Sequence, residues 1–267
     1  PPPRSRTGEF PGPMLPFVLA AIDVASAGLV LASVVRRHYS AKMVASASGV
    51  QAIFIDCDDC VYQNDWQTAK KITNSIAAYT AKIGVSKEEA YALYKKHGTC
   101  LKGLLVEERI DASGAEDFLH AVHLIDYSDI KPDPVLHAVL ARLTPPMWVF
   151  TASTSEHAKR CLQRVGIESL PWKGCIDTRS CKLETKHSHS SFQVAMQTAG
   201  VTDPSRCVFC DDSTKNIVAA KAVGWRTVLV GLHDRDSGEP LRCDAADYQI
   251  GSLRTLPDVL PELFSVA

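Results

Sequence analysis

Ile53-Phe54-Ile55-Asp56-Cys57-Asp58-Asp59 decides the reading of this chain: an apolar run ends abruptly in three carboxylates. A short apolar run of this kind reads as a buried strand of a parallel sheet. Open α/β sheets place their ligands just beyond the carboxyl ends of such strands. Like charges this close are unfavourable unless a cation or a shared proton compensates. The stretch therefore points to a divalent metal and a carboxylate nucleophile at a strand tip.

Outward from this strand the pattern changes twice. From Asp65 to about Ile83, apolar Trp66, Ala69, Ile72, Ile76 and Tyr79 recur at helical spacing. Ser86-Lys87-Glu88-Glu89 is a capping box opening a second helix. Further helices are expected over Asp111–Val122 and Val135–Leu143, with Lys131-Pro132-Asp133-Pro134 as the turn that rejoins the core. No strand pattern falls between residues 65 and 145, so this block reads as an all-helical insertion. Strand–helix alternation then resumes. Strands are expected at Trp148–Phe150, Cys207–Cys210, Thr227–Val230 and Tyr248–Ile250. Helices are expected at Glu156–Val165, Ser191–Thr198, Asn216–Val223 and Leu256–Leu263. Repeated βα units make the fold α/β with a parallel, doubly wound sheet. The domains are then a core of residues 47–64 and 146–267, a helical cap of 65–145, and an N-terminal extension of 1–46.

That extension stands apart. Residues 1–13 are rich in Pro and Gly and read as a vector remnant, an upstream read-through or a disordered tail, with Met14 as a plausible start. Phe17 to Val35 is apolar apart from Asp23 and a few small residues, and Arg36-Arg37-His38 follows. Such a run just reaches membrane-spanning length. It is read three ways: an anchor that leaves the main domain in the cytosol, a cleaved mitochondrial or other organellar targeting peptide, or a poorly ordered apolar extension.

Composition removes several function classes. Net charge is −1, and no Lys/Arg block with interleaved aromatics occurs, so nucleic acid is not an expected partner. Membrane contact is expected only through the N-terminal apolar segment, and the sequence sets no oligomeric state. Nine scattered cysteines argue against a disulfide framework and for a reducing, cytoplasmic-type compartment. Two pairs have CxxC spacing, Cys57/Cys60 and Cys207/Cys210, but each overlaps the end of a strand-like run. Buried small hydrophobes are the default reading, ahead of a zinc site or a redox pair.

Polar groups now stand at three strand ends: Asp56/Asp58, Thr151, and Asp211/Asp212, with a Lys-rich loop from Lys182 to Lys186 between the second and third. This order resembles that of the haloacid dehalogenase-like (HAD) hydrolases. Tyr127 to Pro134, Phe150-Thr151, His157-Ala158, His97-Gly98-Thr99 with Lys102-Gly103-Leu104, Ala121-Val122-His123 and Ala246 to Ile250 look like the pyrimidine 5′-nucleotidase branch. The similarity covers about residues 50–263.

The resemblance implies a Rossmann-like core with an inserted α-helical cap, and a magnesium-dependent phosphatase of small phosphate esters. Asp56 would attack phosphorus. Mg2+ would be held by Asp56, the Asp58 backbone carbonyl and Asp212, with Asp211 acting through a metal-bound water. Asp58 would be the general acid and base. Thr151, the Ala152 backbone N–H and Lys186 would bind phosphate, with Lys182 as the alternate lysine, and Asn216 would support the acidic pair. Taken singly, Thr151 reads as a strand end, Lys186 as a loop lysine, and His97, Lys102 and His123 as cap surface or packing. Departures from the family pattern are Cys60 for Thr, Ala152 for Asn and His187 for Pro. The substrate expected by resemblance is a nucleoside 5′-monophosphate. A lysophosphatidate, a sugar phosphate or a phosphorylated vitamin are alternatives, as is a non-catalytic module that binds phospho-ligands.

Overall fold

A computed structural model describes residues 49–265 except 236; the N-terminal extension and its three readings lie outside these residues. Six parallel strands form one sheet: β1 (Ala52–Ile55), β2 (Met147–Phe150), β3 (Trp172–Ile176), β4 (Cys207–Asp211), β5 (Arg226–Val230) and β6 (Tyr248–Ile250). Their spatial order is β3-β2-β1-β4-β5-β6. The chain moves outward in one direction through β3 and restarts on the other side of β1 with β4. The switch point between β1 and β4 is where a crevice must open at the carboxyl ends of the strands. Asp56 follows β1 and Asp211 ends β4, so both acidic clusters stand at that crevice.

Alternation along the strands divides the core in two. Ile53, Ile55, Val149, Val208, Cys210 and Val228 pack on one face. Ala52, Phe54, Phe150, Phe209 and Leu229 pack on the other. This second face holds an aromatic cluster in which Trp225 stacks on Phe54 at 4.5 Å and meets Phe192 edge-on at 5.0 Å.

The strand β3 was not expected. Its sequence, Trp-Lys-Gly-Cys-Ile, is half-exposed at the sheet edge and lacks the apolar run of a central strand. Gly174 is required there, since a Cβ would lie 2.9 Å from the Trp148 ring.

The helical insertion consists of α1 (Gln67–Lys82), α2 (Lys87–His97), α3 (Cys100–Val106) and α4 (Ala112–Val122). The capping box is present in part: the Ser86 hydroxyl accepts from Glu89 N–H at 3.1 Å. The short helix α3, capped by Thr99, was not anticipated. These helices share their own apolar cluster, which includes Leu93, Leu104, Phe118 and Leu119.

The cap ends earlier than residue 145. Tyr127, Ile130, Leu136 and Leu140 pack with the sheet, so α5 (Pro134–Leu140) belongs to the core. Asp133 caps α5 through Leu136 N–H at 2.9 Å and accepts from Arg254 Nε at 2.8 Å. The return to the core therefore precedes the Pro-rich turn, because the apolar residues around it face the sheet. Among the described residues no helix is long and apolar enough to cross a membrane.

Trp225 is 1% exposed and touches four other rings. Trp225→Ala is expected to destabilise the protein by about 3–5 kcal/mol through the cavity it leaves. Trp225→Phe keeps the stack on Phe54 and is expected to cost less than about half of that. Urea unfolding of the two variants measures both, and equal losses would show that the stack does not matter.

Candidate active site

Parallel pairing fixes the acidic centre. Ile55 lies opposite Cys210, and Asp56 N–H donates to the Cys210 carbonyl at 2.9 Å. The residues that follow, Asp56 and Asp211, are thereby carried by adjacent strand ends. Lys186 bridges them. Its Nζ lies 2.7 Å from Asp56 Oδ1 and 2.6 Å from Asp211 Oδ2, and it also donates to the Phe150 carbonyl at 3.2 Å. Only 4% of Lys186 is exposed. All three N–H groups of the ammonium are engaged by protein oxygens, so Lys186 bears on a phosphate through its charge and not through a hydrogen bond. Lys182, the alternate, is exposed, in the left-handed region, and outside the crevice lining.

Asp56 Oδ1 also accepts from Cys57 N–H at 2.8 Å. Oδ2 makes no hydrogen bond among the described residues, and Asp56 lines a crevice of ≈ 530 Å³. Burial pushes the Asp56 carboxyl up to about 8, with Asp211 adding to the rise and Lys186 opposing it. Asp211, fully buried, accepts from Asn216 Nδ2 at 2.9 Å and Ser213 N–H at 2.8 Å. Asn216 thus holds the first member of the acidic pair through both of its oxygens. Asp212 points into the crevice, and burial followed by Asp211 raises its carboxyl well above the ordinary range.

Carboxylate oxygens of Asp56, Asp211 and Asp212 lie within 4.8 Å of one another. Three carboxyl groups face one ammonium, so with all three ionised the cluster would carry more negative charge than the protein balances. An all-oxygen donor set with surplus charge fits a hard divalent cation such as Mg2+. The residues present therefore suit the ion that the fold family implies.

Thr151 follows β2, buried beside the crevice, and its hydroxyl oxygen accepts from Ser153 N–H at 3.0 Å. Its own O–H remains able to donate. Ala152 is exposed at the crevice mouth.

Asp58 has a different setting. Its Oδ1 accepts from Tyr62 Oη at 2.6 Å and meets His157 Nε2 at 2.7 Å, while Oδ2 accepts from Ser153 Oγ at 3.1 Å. His157 sits at the third position of α6 (Ser155–Val165), whose cap Thr154 accepts from its N–H. Despite burial, the imidazole charge beside Asp58 holds that carboxyl well below the usual range, and Asp58 holds His157 well above its own. Sequence reasoning had used His157 only as part of a motif, and missed Tyr62 and Ser153. The signal for His157 was its place on the first turn of the helix after Thr151.

The cap closes the other side. A second chamber of ≈ 520 Å³ shares Asp58 and Ala152 with the crevice and is walled by Ile72, Ile76, Leu101, Phe118, Leu119 and Val122. His123 is buried here, with Nδ1 at 2.7 Å from the Leu119 carbonyl, and burial lowers it to about 4. Lys102 pairs with Glu184 at 2.6 Å, joining cap to core, and His97 pairs with Glu107, so neither is a bare surface charge. Gly98, at φ 88°, lies against His187: a Cβ would be 2.6 Å from its Nδ1. Arg235, from the loop after β5, lines both cavities and donates to Tyr94 of the cap at 3.2 Å; sequence reasoning had not singled it out.

Cation binding at the three carboxylates must displace the proton that burial keeps on Asp56 below about pH 8. Affinity for Mg2+ is therefore expected to rise as pH approaches 8, with protons released on binding. Calorimetric titration in two buffers of different ionisation enthalpy, at about pH 6 and about pH 9, reads this; equal affinity at both contradicts it.

Comparison with known proteins agrees with this geometry. Residues 50–224 match the family model described as haloacid dehalogenase-like hydrolase. Phosphate metabolism protein 8 of Saccharomyces cerevisiae is 26% identical over 206 residues, which are 69% of this chain and 62% of that protein. The chain thus spans about three-fifths of the length of that relative. Among solved structures, CbbY from Rhodobacter sphaeroides in complex with phosphate superposes with a TM-score of 0.54 at 17% identity, covering 78% of this chain and 96% of its own. A HAD phosphatase from Thermococcus onnurineus gives 0.50 at 18% identity, covering 81% of this chain and 100% of its own. These two likenesses concern the fold. With the family model spanning most of the chain and the acidic strand tips, lysine and switch point in place, the chain belongs to the haloacid dehalogenase-like hydrolases.

Proposed function

We propose that the chain is a magnesium-dependent phosphomonoesterase working through an aspartyl-phosphate on Asp56, with a nucleoside 5′-monophosphate, pyrimidine preferred, as substrate. The observation that carries this reading is the nucleophile geometry. Asp56 has one oxygen fixed by Lys186 and Cys57 N–H and the other facing the crevice, with a second carboxylate two residues away. The substrate class rests on the resemblance described above.

In the first step Asp56 Oδ2 forms a bond to phosphorus, the ester P–O bond breaks, and the leaving oxygen takes a proton from Asp58. In the second, water attacks phosphorus, Asp58 takes its proton, and the bond to Asp56 breaks, releasing phosphate. Asp56, the Asp58 carbonyl and Asp212 would hold Mg2+, with Asp211 supporting them from behind, and the ion would neutralise the phosphate charge that repels the nucleophile. Thr151 Oγ1 and the Ala152 N–H donate to phosphate oxygens. The proton for the leaving group comes from the Asp58–His157 pair. In this reading the pair starts as carboxylate and imidazolium, and the His157 proton passes by way of Asp58 to the leaving oxygen as negative charge develops there.

A second reading of the substrate has its own support. The chamber beside Asp58 is walled mainly by aliphatic and aromatic side chains, which suits the acyl chain of a lysophosphatidate as well as the face of a base.

Phosphate release from UMP, CMP, AMP, a sugar phosphate and lysophosphatidate, with Mg2+ and with EDTA, separates these readings. Mg2+-dependent release from UMP or CMP is expected; release from none, with the protein folded, rejects these substrates and points to an ester outside the panel or to the non-catalytic module. Asp56→Asn is expected to lower turnover by a factor on the order of 10⁴ or more. Activity within tenfold of wild type would rule out Asp56 as nucleophile. His157→Gln is expected to slow release of a poor alkoxide leaving group by about 10²-fold or more, and of nitrophenolate much less. An equal loss for both would remove His157 from proton supply.

A further inference from the structure

A second set of side chains meets at Asp58, and the hydrolytic scheme leaves part of it without a role. Cys57 follows the nucleophile, while His157 and Cys161 lie one turn apart on α6 and share a face. The Sγ atoms of Cys57 and Cys161, His157 Nε2 and an Asp58 carboxylate oxygen all lie within 4.8 Å of one another. Cys57, Cys161 and His157 are each 0% exposed, and Asp58 opens the group to the crevice.

We propose that Cys57, Asp58, His157 and Cys161 form a zinc site, and that zinc bound there inhibits the enzyme by taking Asp58 as a ligand. Two thiolates, an imidazole and a carboxylate form a borderline-soft set that suits zinc and not magnesium. Bond lengths of zinc to sulfur and nitrogen place ligand atoms of a tetrahedron about 3.5 Å apart. Cys161 Sγ and His157 Nε2 already stand at 3.5 Å. His157 Nε2 and Asp58 Oδ1, at 2.7 Å, need open by only about 0.6 Å to reach an N···O edge of about 3.3 Å.

The imidazole is also held as a metal ligand requires. Tyr127 Oη donates to the His123 carbonyl at 3.1 Å, so its oxygen accepts from His157 Nδ1–H at 2.9 Å. That places the proton on Nδ1 and leaves the neutral ring's lone pair on Nε2, toward the thiols and Asp58. Binding expels the two thiol protons and the imidazolium proton to solvent. The CxxC spacing concealed this group. Cys60 Sγ instead contacts the Cys210 carbonyl at 3.6 Å, and the partner of Cys57 lies on a helix more than a hundred residues later.

The inhibitory half rests on the acid/base reading of Asp58; the binding half does not. The test uses the full chain, reduced and freed of metal. Zinc affinity is measured by competition with a chromophoric chelator, and cobalt(II) is added as a spectroscopic probe. One site per chain with thiolate-to-cobalt charge-transfer absorption is expected. Cys161→Ser and Cys57→Ala, checked for folding by circular dichroism, should each weaken zinc binding at least tenfold. In turnover assays at saturating Mg2+, zinc should inhibit wild type, further Mg2+ should not relieve it, and Cys161→Ser should need at least tenfold more zinc.

Absence of thiolate–cobalt absorption, or equal zinc affinity in wild type and both variants, overturns the site. Inhibition that Mg2+ relieves places zinc on the carboxylate cluster and also overturns it. Thiolate-bound zinc with undiminished turnover overturns the inhibitory half. If no ester is hydrolysed at all, the function proposed above fails while the binding measurements still decide the site.

Discussion

The surplus of negative charge where β1 and β4 end side by side is the constraint to which the rest of the molecule responds. Neighbouring strands stand about 5 Å apart, and each delivers a carboxylate to the same point. A buried carboxylate pair at that spacing needs a cation or a shared proton. Lys186 supplies one charge from a loop far along the chain, reaching both Asp56 and Asp211. Its ammonium also lies 5.6 Å from the rings of Phe150 and Phe209, so the aromatic core is its floor. One lysine does not neutralise three acids. The remaining charge suits the crevice to a cation, and the raised carboxyl of Asp56 is the same imbalance seen from the proton's side.

The cap answers a different requirement. It has its own apolar cluster, on which Leu183 of a core loop also packs, and polar ties to the core loops in Lys102–Glu184, Arg179–Glu116 and the Arg235–Tyr94 hydrogen bond. Partly exposed pairs of this kind contribute little each. The firm connection is at its base. Asp129, on the exit segment, accepts from Asn64, Thr68 and Lys71 around the entry segment. Asp65 and Trp66, between them, occupy the left-handed region, a conformation that tertiary contacts must hold in place.

Those two levels explain what was legible in the sequence. The central strands could be read because each is an apolar run buried on both faces, and a parallel sheet leaves that imprint. Asp56, Thr151, Lys186 and the acidic pair could be read in order because each follows a strand or a loop at a fixed offset. The edge strand β3 could not, since half-exposed Trp172 and Lys173 look like loop. The cap boundary was misplaced because Leu136 and Leu140 are apolar at helical spacing whichever body they pack against. Tyr62, Ser153, Arg235 and the Cys57–Cys161 proximity had no local signature at all. Apart from Tyr62, four residues from Asp58, these are contacts between segments distant in sequence, which only the fold brings together.

Asp58 shows why such contacts matter. Two residues from Asp56 and in the same crevice, it titrates in the opposite direction, because three donors surround it where Asp56 faces other carboxylates. Divergent environments for neighbouring carboxylates are how one site assigns a nucleophile and a proton carrier. In the function proposed above Asp56 attacks as a carboxylate, which burial and the neighbouring acids oppose and a cation would favour. Asp58 gives up a proton there, and the His157 imidazole beside it is the group that can return one. The two residues thus call for opposite help, Asp56 for positive charge that keeps it ionised and Asp58 for a proton source at its side. Lys186 and His157 stand at the two places where the fold supplies them.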